Sequence, residues 1–176
     1  MKKTISKVLA LMMCLIMAGA LSACGSKDKV YKVSTEPTYP PFDTTNKNGD
    51  IVGFDMDLMK AIAKDQGFKV EFESLEFDAL IPALKSDSTD IVIAGMNVTP
   101  ERAKQVAFSD PYYKTGIVVL VKKDNTTITG WDSFTSGSGL KVAAQTGTSQ
   151  ADIAEQLKKE GKISKATILN QNTTAL

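Results

Sequence analysis

Ile91-Val92-Ile93-Ala94-Gly95-Met96-Asn97-Val98-Thr99-Pro100-Glu101-Arg102 is the stretch on which the fold of this chain turns. Its first four residues are apolar and mostly β-branched, the composition of a strand covered on both faces, and such strands belong to parallel sheets packed between helices. Gly95 to Val98 interrupt the run, Thr99 supplies an N-cap, and Pro100 suits the first helical position. Strand, turn and helix start thus follow one another directly, as in an α/β fold.

Arg102 is third in that helix, where Glu or Gln would complete a capping box and where a cation opposes the positive end of the helix dipole. Two explanations stand. The arginine is solvated and merely shares a helix with Glu101, or an anion sits over the helix start between backbone N–H groups and the guanidinium fork. A carboxylate suits that bidentate geometry.

The alternation continues in both directions. Toward the N-terminus, Val30 to Thr35 and the alternating Phe68, Val70 and Phe72 read as strands. Between them Asp55 to Gln66 reads as a helix with Leu58, Met59, Ile62 and Ala63 on one face and Gly67 at its stop. Asp78 to Lys85 has helical spacing, but Pro82 is tolerable there only in a first turn. Toward the C-terminus, Ile117 to Val121 reads as a strand, and the Thr-, Ser- and Gly-rich residues from Lys122 to Gly139 mark a boundary. Leu140 to Ala144 restarts as a strand, Ser149 to Lys159 is a helix stopped by Gly161, and Ala166 to Leu169 is a further strand. The domains expected are residues 30–121 and a second, partial unit over residues 122–176, which is short for a complete covered sheet.

The second unit has its own helix start in Thr146-Gly147-Thr148-Ser149-Gln150, with Ser149 as N-cap and Asp152 three residues on. Ordinary capping explains it alone, but a matching start on each side of one boundary suits an anion held between two units. Tyr39, in Glu36-Pro37-Thr38-Tyr39-Pro40-Pro41-Phe42, lies just past the carboxyl end of the first strand, the edge where open α/β sheets bind ligands. Phe77 also follows a strand end, so two aromatic rings are placed to flank a small ligand, although core packing is the commoner fate of phenylalanine. Glu36 meets either a ligand's cation or a surface lysine.

At the N-terminus, Lys2, Lys3 and Lys7 precede the uncharged run Val8 to Leu21, which is shorter than the roughly 18 to 20 residues that span a bilayer. Residues 1–23 are read as a secretory signal. Leu21-Ser22-Ala23-Cys24 resembles a lipobox, in which the cysteine thiol is lipid-modified and the preceding bond cleaved, and residues 24–29 read as a flexible tether. Without the three lysines of the leader, 18 basic residues face 20 acids, so nothing calls for nucleic acid. The chain has no histidine, which argues against imidazole-ligated zinc and against Ser/His or Cys/His nucleophilic catalysis. No cofactor or metal is expected.

Taken together, Glu36 to Phe42, Gly53-Phe54-Asp55-Met56-Asp57-Leu58, Phe77 to Leu84, Asp90 to Tyr113 and Val142 to Gln150 resemble the polar amino-acid-binding proteins of ABC importers, a family of type II periplasmic binding proteins. The resemblance implies two α/β lobes joined by hinge strands that close on an amino acid, a motion for which periplasmic binding proteins are a standing example. It implies that Arg102 holds the α-carboxylate with backbone N–H groups near Asn97 and Ser149. Gly95 then takes the α-ammonium through its carbonyl, with Met96 beside it. Tyr39 and Phe77 sandwich the side chain, and Glu36, Thr148 and Gln150 line the pocket.

Glu36 falls where members that bind arginine, lysine or histidine carry an acid, so a cationic amino acid is expected, although some glutamine binders are acidic there too. Gln145 departs from the lysine of some glutamine binders. The family continues beyond the position of Leu176 with the rest of lobe two, an aspartate for the α-ammonium and the strand and helices that complete lobe one. Implied partners are a membrane permease and, through acylated Cys24, lipid, with a monomeric protein exported to the outer face of the membrane. Three other readings remain: a cyclohexadienyl dehydratase of the same fold using Glu36 as acid or base, a receptor lobe, and a non-functional fragment.

Overall fold

The computed structural model describes residues 29–171, so the leader, Cys24 and most of the tether lie outside the described residues. The first unit is built around strand β1 (Val30–Thr35). It pairs in parallel with β4 (Lys69–Ser74) over its whole length and with β5 (Ile91–Val92) through Val33 and Ser34, giving the sheet order β4-β1-β5. A short hairpin, β2 (Thr44–Thr45) with β3 (Ile51–Val52), precedes helix α1 (Phe54–Gln66). Parallel neighbours require a crossover, and α1 provides the one between β1 and β4.

Helix α1 buries Met56 and Met59 against Val33 and Ile93, with Leu58, Phe68, Val70 and Phe72 packed around them. Each buried methionine removes apolar surface worth about 1.5–3 kcal/mol from water. The inward face differs by part of a turn from the one expected: Ile62 is 41 % exposed, whereas Met56 is fully buried. The Pro82 question resolves in favour of a helix. A 3₁₀ turn over Phe77–Ala79 leads into α2 (Leu80–Lys85), which makes Pro82 the third residue of α2, where a backbone N–H has no intrahelical acceptor. The apolar run 91–94 pairs as a strand only over Ile91–Val92, half-buried at one edge of the described sheet, while Ile93 and Ala94 are buried in the core beyond it.

After helix α3 (Pro100–Ala103), residues 117–121 form no strand among the described residues. They keep a period of two, with Val118 at 83 % and Leu120 at 74 % exposure between less exposed neighbours. The strand propensity is present, but among the described residues no neighbouring strand accepts its hydrogen bonds, and pairing defines a strand. The second unit holds β6 (Lys141–Gln145) parallel to β7 (Lys165–Leu169), with α4 (Ser149–Lys159) between them in sequence. Ala151 and Ala154 lie against Ala144, Val142, Ala166 and Ile168, and the alanines on both sides let helix and sheet approach closely. Among the described residues no helix is long and apolar enough to cross a membrane.

Candidate functional site

The strand ends of both units converge where α3 and α4 begin. Thr99 is extended and its hydroxyl accepts the Arg102 N–H at 3.2 Å, with Pro100 in the first turn, as expected for a cap. In the second unit the cap differs from expectation. Thr148, not Ser149, is the N-cap: its hydroxyl accepts the Ala151 N–H at 3.2 Å and donates to the Gln145 carbonyl at 2.6 Å. Gly147 is left-handed at φ +74°, and that turn brings Thr148 to the cap and leaves Ser149 as the first helical residue. The Ser149 hydroxyl is thereby free to accept from the Asn97 amide at 2.9 Å.

Arg102 joins the two units. Its Nη1 donates to the Asn97 carbonyl and to Asn97 Oδ1, both at 2.7 Å, and its Nη2 donates to the Gly147 carbonyl at 2.9 Å. The guanidinium carbon lies 5.5 Å from the centre of the Phe77 ring, close enough for a cation–π contact worth ~0.5–1 kcal/mol or more. The residue is only 8 % exposed. Burial lowers the pKa of its guanidinium and the Asp152 carboxylate acts in the opposite sense, yet the group stays charged at physiological pH. Its described acceptors are all neutral. They use three of the five guanidinium N–H groups, which leaves Nε–H and one Nη2–H without an acceptor among the described residues. At the start of α4, the Ser149 and Gln150 N–H groups likewise donate to no described acceptor.

The other residues singled out from sequence fall around this centre to different degrees. Tyr39 stacks on Phe42 at 5.4 Å between ring centres, and its ring would lie in tight contact, at 3.3 Å, with a Cβ on Gly95. Met96 is half-buried between Gly95 and Asn97. Glu36 is 3 % exposed, and its carboxylate accepts from the Thr38 hydroxyl at 2.7 Å, with no hydrogen bond to Arg102 or Tyr39 among the described residues. Tyr39, Thr148 and Gln150 border a cavity of about 720 Å³ that also touches Ile117, Trp131 and Phe134, whereas Arg102, Gly95 and Phe77 do not line it. That cavity is the apolar gap beside residues 117–121; the polar chemistry lies at Arg102. Gln145 is buried, and its amide donates to the Asn170 carbonyl at 3.0 Å.

Sequence reasoning passed over two buried acids. Asp43 accepts from the Thr35 hydroxyl at 3.0 Å and from the Tyr39 N–H at 3.1 Å, and burial pushes its carboxyl up to about 7. Asp55 accepts from the Gly95 N–H at 2.8 Å and from the Tyr112 hydroxyl at 3.0 Å, both on Oδ2, while Oδ1 is buried without a partner among the described residues. Burial raises the pKa of Asp55, and burial followed by the Asp55 charge raises that of Tyr112. Asp55 stood in the Gly-Phe-Asp stretch already noted, but its partner is 40 residues away and gives no local signal. Among the described residues no group of acids or thiols is arranged to hold a metal ion.

Residues 31–175 match the model for bacterial extracellular solute-binding proteins, family 3. The chain belongs to that family. It is 40 % identical over 162 residues to the arginine-binding extracellular protein ArtP of Bacillus subtilis, covering 88 % of this chain and 61 % of that one. A solved ancestral arginine-binding protein with arginine bound is 43 % identical and superposes with a TM-score of 0.77, over 83 % of this chain and 63 % of its own. An ancestral amino-acid-binding protein described as a precursor of cyclohexadienyl dehydratase is 42 % identical with a TM-score of 0.76, over the same 83 % and 63 %. The chain thus has the type II periplasmic-binding-protein fold and spans about three fifths of the length of these relatives.

Proposed function

We propose that this chain acts as the extracytoplasmic amino-acid-binding protein of an ABC importer, with residues 30–121 in one lobe and residues 122–176 in the other. The observation that carries this reading is the buried guanidinium of Arg102, held between the units by neutral carbonyls with two N–H groups unused. A buried cation without an anion is costly, and a ligand carboxylate completes it, assisted by the Ser149 and Gln150 N–H groups at the start of α4. Helix α3, only four residues long, contributes little dipole of its own, so the guanidinium carries the charge. Tyr39 and Phe77 flank the ligand side chain, with Met96, Asn97 and Thr148 around it.

A cationic ligand is favoured. Glu36 is a buried carboxylate whose described donor is a neutral hydroxyl, and relatives that match this chain are named for arginine. Calorimetry with arginine, lysine, histidine and glutamine tests this: the cations bind most tightly, and Glu36→Gln removes the preference. Glutamine binding as tight as arginine in the parent would exclude it. Cys24 carries the lipid that tethers the protein near its permease and raises the effective concentration of cargo there; Cys24→Ala releases the protein from the membrane fraction if so, and leaves it there if not. The dehydratase reading, which the precursor structure keeps in view, places Glu36 as general acid or base and is decided by incubation with prephenate or arogenate, where formation of the aromatic product would establish it.

A further inference from the structure

Residues Gly95 to Asn97 form a short turn between β5 and α3 that is clamped at both ends. At its far end, the Asn97 carbonyl and side chain are held by Arg102. At its near end, the Gly95 N–H is held at 2.8 Å by a fully buried carboxylate, Asp55, that also takes the Tyr112 hydroxyl. Gly95 is left-handed at φ +54°, with the Tyr39 ring against the position of a Cβ. The Gly95 N–H is turned inward to Asp55, and the Gly95 carbonyl, which belongs to the next peptide, accepts no hydrogen bond among the described residues. An exposed glycine whose carbonyl is the unused group presents an acceptor, which suits a donor-bearing ligand group such as an ammonium.

We propose that Asp55 is a positioning residue of the ligand site: by fixing the Ala94–Gly95 peptide through the Gly95 N–H, and with it the left-handed Gly95, it keeps the carbonyl of the following peptide, that of Gly95, turned toward the ligand's α-ammonium. This rests on the amino-acid site proposed above. A neutral side chain would satisfy the core at that position more cheaply, since a buried carboxylate bonded only by neutral donors is costly. What the charge adds is a short, strong and directional bond to one peptide N–H, the group that sets the orientation of the corner.

The test is a cycle between protein and ligand. Arginine and 5-guanidinopentanoate, which is arginine without its α-amino group, are titrated into the parent, Asp55→Asn and Asp55→Ala, alongside the ¹H–¹⁵N signal of the Gly95 amide. Asp55→Ala is expected to weaken arginine about ten- to a hundredfold, in the range of a lost hydrogen bond to a charged group, and 5-guanidinopentanoate less than about threefold. Asp55→Asn, which keeps an acceptor, is expected to fall between, and the Gly95 amide proton is expected to move upfield in both variants. Equal losses for the two ligands would reduce Asp55 to a support of the fold and overturn the proposal, as would an unmoved Gly95 signal. If the parent binds neither ligand, the amino-acid site itself fails, and the Gly95 signal still decides whether Asp55 holds that corner.

Discussion

The two units carry the same device at the site but surround it with different chemistry. Each presents a threonine-capped helix start at the carboxyl end of a parallel strand, with the cap accepting the third N–H of its helix at 3.2 Å. In the first unit every described buried ionisable group is found: Glu36, Asp43, Asp55 and Arg102. The buried polar residues of the second, Gln145 and Thr148, are neutral. One unit therefore holds the charges in fixed positions, and the other brings neutral carbonyls and N–H groups against them. Charge is costly to bury, so keeping it on one unit and meeting it with dipoles from the other leaves fewer ions to desolvate where the units touch.

The contact between the units is the first place to break this arrangement. A Cβ on Gly147 would lie 2.8 Å from that of Asp78, at a φ of +74° that other residues seldom adopt. Gly147→Ala is expected to cost about 2–4 kcal/mol and to weaken ligand binding with it, read by denaturant melts and calorimetry. An unaffected variant would mean that the units do not meet through this turn.

The placement of charge predicts a pH dependence that belongs to the first unit. The Asp43 carboxyl is near 7 in the folded protein and near ~3.9 when unfolded, so the folded state holds the proton more firmly. Its contribution to stability is full below pH ~4, declines as the pH rises toward 7 and is lost above that. Between pH 5 and pH 8 the parent is expected to lose on the order of 1–3 kcal/mol more stability than Asp43→Asn. Parallel pH profiles for the two proteins would contradict the assignment.

The smallest expected effect compares the caps. Thr148→Ala is expected to destabilise the fold by about 1 kcal/mol, because Thr148 caps the start of an eleven-residue helix and also donates to the Gln145 carbonyl. Thr99→Ala caps only four residues and is expected to cost less in a melt, but it loosens the Arg102 backbone and so shows more clearly in ligand affinity. The reverse pattern would indicate that α3 matters for the fold rather than for the site.

Much of this was legible in the residues. Strands β1, β4 and β6 and helices α1 and α4 follow from their periodicity, and Arg102 stood out because its charge is wrong for its local position. What escaped depends on distant partners. Thr148 and Ser149 are both good caps, and only the left-handed Gly147 turn decides between them. Ile117 to Val121 has strand composition without a described strand to pair with, and Ile62 and Met56 exchange roles because the sheet selects the helix face. Asp43 and Asp55 look like ordinary surface acids until the strand ends close over them.

The central claim is that Arg102 waits for a carboxylate. Titration of arginine and of agmatine, which lacks the carboxylate, into the parent and Arg102→Ala tests it most directly. The parent is expected to prefer arginine, and the variant to bind arginine at least about a hundredfold more weakly while treating agmatine as the parent does, in line with the ~3–5 kcal/mol left when one partner of a buried ion pair is removed. Arginine bound equally tightly by Arg102→Ala and the parent would contradict the account.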